Sequence, residues 1–163
     1  MASNLNLQQQ NKYLEAQVKT ASPIQLVCML YDGAIKFANF ALAGIKEKNI
    51  EKKTVNIVKT EKIINELRIS LNFEKGGEIS TNLDKLYDFM YTYLIDANAN
   101  EDVAKLEHVI RILSMLRESW YAIANKQTAA PQSQQVPLET VKKPPQLQPA
   151  NAPKANERLD LAC

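Results

Sequence analysis

Few side chains in this sequence are equipped for chemistry. One histidine, His108, and two cysteines, Cys28 and Cys163, are its whole stock of imidazoles and thiols. His108 follows Glu107 directly and stands between Leu106 and Val109, so it belongs to no E-x-x-H pair of the kind that builds a di-iron site inside a helical bundle. It reads as a helix-surface residue. Asp32, Asp88 and Asp96 are the carboxylates to weigh for acid–base work. Each falls on a helix dominated by other periodicities, so solvated charge is expected. The sequence has no Walker A loop, no G-x-S-x-G elbow and no C-x-x-C, and Gly76-Gly77 alone makes only a turn. Two cysteines form no disulfide framework, and Cys28, inside an apolar helix, reads as a small buried hydrophobe. The expectation is a protein without catalytic residues, metal or cofactor.

The bulk properties narrow the class further. An apolar fraction of 45% and a charged fraction of 23% are those of an ordinary soluble globular protein, and the net charge is only +2. Residues 1–126 carry 16 Lys/Arg against 15 Asp/Glu, so no polycationic surface points to nucleic acid. The locally basic stretch from Lys46 to Lys62 is interrupted by Glu47, Glu51 and Glu61 and reads as a solvated helix face. The N-terminus lacks the basic start and apolar run of a secretory signal, and no 18 apolar residues run uninterrupted. A cytoplasmic protein without stable membrane insertion is expected.

The elements that must position these residues are helices. Composition changes after Lys126: residues 127–163 hold six of the seven prolines, six glutamines and no aromatic residue. That segment reads as a disordered Pro/Gln/Ala-rich tail. Before it, Ser22, Pro23 and Gln25 form a capping box at the start of a first long helix. A second carries Ile57, Ile64, Leu67 and Leu71 on one stripe and stops at Gly76-Gly77. Ile79, Leu83, Leu86, Met90, Leu94 and Ala97 define a third. Val103, Leu106, Ile110, Leu113 and Trp120 define a fourth, capped by Asn100 with Glu101 and Asp102 in its first turn. Short connections then predict an all-α, antiparallel four-helix bundle over residues 1–126. An arm or short helix within residues 1–21 precedes it, and the tail 127–163 follows.

The first long helix is too apolar for a helix facing one core. Of its 22 residues from Ile24 to Ile45, 16 are apolar and only Asp32 and Lys36 are charged. At 100° per residue, Gln25, Asp32, Lys36 and Asn39 form one narrow polar stripe. The arc of Val27, Leu30, Ala34 and Ala41 suits the core. That leaves two apolar shoulders, one with Leu26, Met29, Gly33 and Phe40, the other with Ile24, Cys28 and Ile35. Neighbouring helices and the arm, a second copy of the chain, or a partner helix in a groove would each cover them, with Gly33 allowing close approach and Met29 adapting its shape. The pattern alone does not choose.

Longer motifs do point to a family. "YLEAQVKTASPIQLVCMLYDGAIKF", "LNFEKGGEISTNLDKLYDFM" and Leu116-Arg117-Glu118-Ser119-Trp120, in this order, resemble the hallmarks of the flagellar secretion chaperone FliS. The resemblance covers about residues 13–121 and leaves the tail aside. It implies a cytoplasmic helical bundle, not an enzyme, that binds the disordered C-terminal segment of flagellin. By occupying that segment the chaperone prevents premature polymerisation and delivers the subunit to export gate components of the flagellar type III secretion apparatus. The candidate partner-binding residues are then Tyr13 and Val18 of the arm with Leu26, Met29, Tyr31, Gly33, Ile35 and Phe40 of the first long helix. The alternative is a self-associating helical bundle, a homodimer when client-free.

Overall fold

Ser22 sets where the most apolar helix begins. Its Oγ accepts from the Gln25 backbone N–H at 3.4 Å, its own N–H donates to Gln25 Oε1 at 2.8 Å, and Pro23 opens the first turn without an unsatisfied donor. The computed structural model describes residues 2–129. They form five helices and, among the described residues, no strand: α1 (Ala2–Thr20), α2 (Pro23–Lys46), α3 (Ile50–Ile69), α4 (Phe73–Asn100) and α5 (Val103–Ala129). The expected arm is thus a helix of 19 residues. Positions 127–129 continue α5, and the rest of the proline-rich tail lies outside the described residues.

Three further helix starts share with Ser22 one device, a short polar side chain accepting from the N–H three residues on. Asn49 caps α3 through Lys52 N–H and Asn72 caps α4 through Lys75 N–H, both at 2.9 Å; Asp102 caps α5 through Lys105 N–H at 3.1 Å. Two expected boundaries move accordingly. α3 ends at Ile69 and not at Gly76-Gly77, because Asn72 restarts a helix before the glycines; Gly77, at φ +49°, then breaks α4 near its start. The cap of α5 is Asp102 and not Asn100, because α4 runs on to Asn100 and Glu101 turns left-handed at φ +53°.

α2 packs against α3 and α5, α3 against α4, and α4 against α5, so four helices enclose one core. Tyr31, Ala34, Ala38 and Ala41 of α2 meet Ile57, Ile64 and Leu67 of α3, Tyr87, Met90 and Leu94 of α4, and Leu106, Val109 and Leu113 of α5. Burying each of the larger side chains stabilises the fold by roughly 1.5–3 kcal/mol. The three alanines bring the backbones of neighbouring helices close to α2. At Gly44 the approach is closest, since a Cβ there would lie 2.5 Å from the backbone nitrogen of Lys53. Lys53 itself is only 6% exposed, and its ammonium donates to the Asn98 carbonyl at 2.8 Å, tying α3 to the end of α4. α1 stands apart, with every side chain from 6 to 20 exposed.

Candidate binding surface

The buried line of α2 runs through Cys28, Tyr31, Ala34, Ala38, Ala41 and Gly44. Compared with the expected arc through Val27 and Leu30, it is rotated toward the Cys28 shoulder; Val27 and Leu30 pack against the core from its edge. The cause is Asp32. Although its side chain is 40% exposed, its carboxylate accepts from Arg117 Nε and from Tyr121 Oη at 2.6 Å, both on α5, which draws this side of α2 into the assembly. Asp88 and Asp96 are likewise ion-paired, with Arg68 and Lys105. On the opposite side Gly33 faces α3, where a Cβ would sit 3.2 Å from Ile63 Cδ1. The Ile24, Cys28 and Ile35 shoulder is therefore mostly covered by neighbouring helices, whereas the other leaves Phe40 exposed. α1 covers neither.

The candidate residues separate by exposure. Tyr13 and Val18 on α1 are 66% and 49% exposed, and Phe40 on α2 is 44% exposed. Met29 and Leu26 are half-buried. Ile35 packs against the core and Tyr31 is fully enclosed. The Tyr31 hydroxyl lies 2.6 Å from that of Tyr87 and accepts from Trp120 Nε1 at 3.3 Å. Burial pushes both phenols above their ordinary value. Tyr31 thus shapes the surface from beneath.

Apolar exposure also occurs where the periodicity gave no warning. Ile69, Phe73 and Ile79, the last 71% exposed, surround the α3–α4 connection. Beside them is a cleft of about 320 Å³ lined by Val27, Leu71, Leu83, Tyr87 and Trp120. A second cleft, about 530 Å³ and more polar, lies between Gln17 and Thr20 of α1, Met29 and Asp32 of α2, and Tyr121 and Asn125 of α5. The helix break at 70–72 was hidden by the continuing apolar period of Leu71 and Phe73; Asn72, the exposed polar residue between them, was the available signal.

Among the described residues, His108 and Cys28 each lie in an apolar setting. His108 is half-buried beside Phe89 and Tyr93, with ring centroids at 5.9 and 5.7 Å, rather than lying free on the helix surface. Burial raises the Cys28 thiol above its ordinary value, which disfavours the reactive thiolate. Among the described residues no group of three His, Cys, Asp or Glu side chains could hold a metal ion. α2 is long and apolar enough to cross a membrane by composition, but it carries the ion-paired Asp32 and lies against α3 and α5.

Closed core, exposed apolar side chains on several helices and an unpartnered leading helix define an all-helical binding scaffold. The family model for the flagellar protein FliS matches residues 5–127. The flagellar secretion chaperone FliS of Salmonella typhimurium is 40% identical over 114 residues, covering 69% of this chain and 84% of that protein. FliS of Bacillus subtilis is 35% identical over 108 residues, covering 66% and 80%. A crystal structure of a flagellar chaperone from bacteria shares the fold, with a TM-score of 0.61 at 17% identity, covering 74% of this chain and 98% of that one. The chain belongs to the FliS family, and its role is that of a flagellar export chaperone.

Proposed function

We propose that this chaperone acts in the cytoplasm, where it binds the disordered C-terminal segment of flagellin, holds it from polymerising and presents it to components of the flagellar export gate. In this reading α2–α5 form an antiparallel four-helix frame without enzymatic activity, and the chain does not insert into membranes. The observation that carries the proposal is the spread of exposed apolar side chains around a closed core, from Leu14 and Val18 through Phe40 to Phe73 and Ile79. Such a distribution suits a segment that wraps the surface.

The energetics support wrapping. Five large apolar anchors contribute about 7–15 kcal/mol gross. Association costs an estimated 4–15 kcal/mol and ordering the client a further ~2–5 kcal/mol. A single pocket is insufficient. In this reading Tyr13, Val18, Met29 and Phe40 touch the client, whereas Leu26, Tyr31, Gly33 and Ile35 hold the surface in shape; the exposure of Tyr13, Val18 and Phe40 supports it.

Phe40→Glu tests the contact surface. Phe40 is exposed, so the fold should survive by circular dichroism while titration with a flagellin C-terminal peptide shows weaker binding. Ala34→Glu, in the core, should unfold the protein by burying an unpaired charge. Unchanged binding by Phe40→Glu would remove this face from the site. The unpartnered α1, with Leu7, Leu14 and Val18 exposed, also favours a second reading in which client-free chains pair as homodimers. Light scattering distinguishes the two, since a client-dependent shift from dimer to a one-to-one complex joins them and a dimer indifferent to client separates them.

A further inference from the structure

Among the described residues, four cations lie over aromatic rings. Two of them, Lys105 over Tyr93 and Arg117 over Tyr121, are also paired with a carboxylate, Asp96 and Asp32 respectively. The other two are not. Lys36 Nζ sits 5.8 Å from the Phe40 ring centroid and Lys59 Nζ 5.0 Å from that of Phe37, and neither makes an ion pair among the described residues. Both are exposed, Lys36 on α2 and Lys59 on α3, and Lys59 reaches across to a ring of α2. The outer edge of α3 adds Lys62 and, one turn on, Glu66, so the unpaired charge of this face is positive.

We propose that the α2–α3 face takes an acidic amphipathic helix, its apolar stripe on Phe37 and Phe40 and its flanking carboxylates on Lys36 and Lys59. The proposal rests on the reading of the chain as a binder of an exported segment and names the chemistry that this face selects. In the free protein each ammonium lies against the electron-rich face of a ring and shields it from water. An arriving carboxylate offers a stronger partner. The lysines swing to it and the rings are freed for the apolar stripe. Charge then selects the partner and speeds its encounter, while the rings hold it. A basic or uncharged helix of equal hydrophobicity would leave the ammonium groups over the rings and be rejected.

The test compares wild type, Lys36→Gln/Lys59→Gln and Lys36→Glu/Lys59→Glu in titrations with a flagellin C-terminal segment chosen for net negative charge, at ~0.05 and ~0.5 M salt. The same segment with every Asp and Glu changed to Asn and Gln is the second probe. Both lysines are exposed, so all variants should keep the wild-type circular dichroism. With the acidic probe at low salt, the Gln variant should bind roughly threefold more weakly and the Glu variant about tenfold or more, and high salt should erase most of the difference. The neutralised probe should bind wild type more weakly than the acidic probe does, and neither variant should bind it more weakly than wild type. Equal affinity of wild type and the Glu variant for the acidic probe at low salt overturns the proposal. Phe40→Glu run alongside locates the failure: lost binding there, with indifferent lysines, removes charge selection and leaves the client reading in place. Indifference to Phe40→Glu as well removes this face from the site.

Discussion

Removing the Tyr31 hydroxyl should cost more than removing that of Tyr87, and the two losses should not add. Tyr31 stands between two partners, with its hydroxyl 2.6 Å from Tyr87 and accepting from Trp120 at 3.3 Å. Both phenols are fully enclosed, and the described residues have no buried side-chain polar atom without a partner. Tyr87→Phe breaks one hydrogen bond but leaves Tyr31 bonded to Trp120, a loss of about 1–2 kcal/mol. Tyr31→Phe orphans both the Tyr87 hydroxyl and the Trp120 N–H. At about 1–3 kcal/mol for each unsatisfied group, reduced because Trp120 is only half-buried, the loss should reach ~2–4 kcal/mol. The double substitution removes both hydroxyls and orphans only the indole, so it should cost no more than Tyr31→Phe alone. The coupling should exceed ~1 kcal/mol. Urea unfolding followed by circular dichroism and by emission of Trp120, the only tryptophan, measures all four corners of the cycle. A Tyr31→Phe variant within ~0.5 kcal/mol of wild type, or strictly additive losses, would refute the reasoning.

Three further outcomes follow from other parts of the fold. Gly44→Ala should lower stability by about 1–3 kcal/mol because its Cβ would meet the Lys53 backbone, whereas Gly33→Ala meets only the movable end of Ile63; equal thermal midpoints would contradict this. Burial raises the Glu61 carboxyl above its ordinary 4.5, so the folded state holds this proton more tightly, and stability is lost as pH rises from 4.5 through the raised value. Glu61→Gln should therefore raise the midpoint at pH 7, with a gain that fades toward pH 4; a constant gain would show another cause. Deleting residues 130–163 should leave the midpoint within a degree or two, since the core lies wholly within α2–α5; a large drop would show that the deleted segment stabilises the fold.

Local signals in the sequence reported local structure well. Ser22, Pro23 and Gln25 gave the start of α2 because a capping box is complete within four residues. The stripes of α3, α4 and α5 gave Ile57, Ile64, Leu67, Met90, Leu94, Leu106 and Leu113 as core because burial imposes their period. Relations between distant residues were not legible. Asp32 meets Arg117 across 85 positions, and Tyr31 meets Tyr87 across 56, so neither the rotation of α2 nor the buried hydroxyl cluster could be read from one helix. The boundaries at Asn72 and Asp102 were missed because Leu71 and Phe73 prolong one apolar period while Asn100, Glu101 and Asp102 offer competing caps. The excess apolar surface of α2 was read correctly, but most of it serves α3 and α5. What α2 leaves open is narrower, with Phe40 exposed and Met29 half-buried, and under the proposed function α1 and the α3–α4 connection supplement it.

The central claim is that this chaperone captures the C-terminal segment of flagellin. Calorimetric titration of the purified full-length chain with flagellin, intact and lacking that segment, tests it most directly. A one-to-one complex with intact flagellin and no detectable heat with the truncated protein is the predicted result. Equal binding of both forms, or binding of neither, would contradict it.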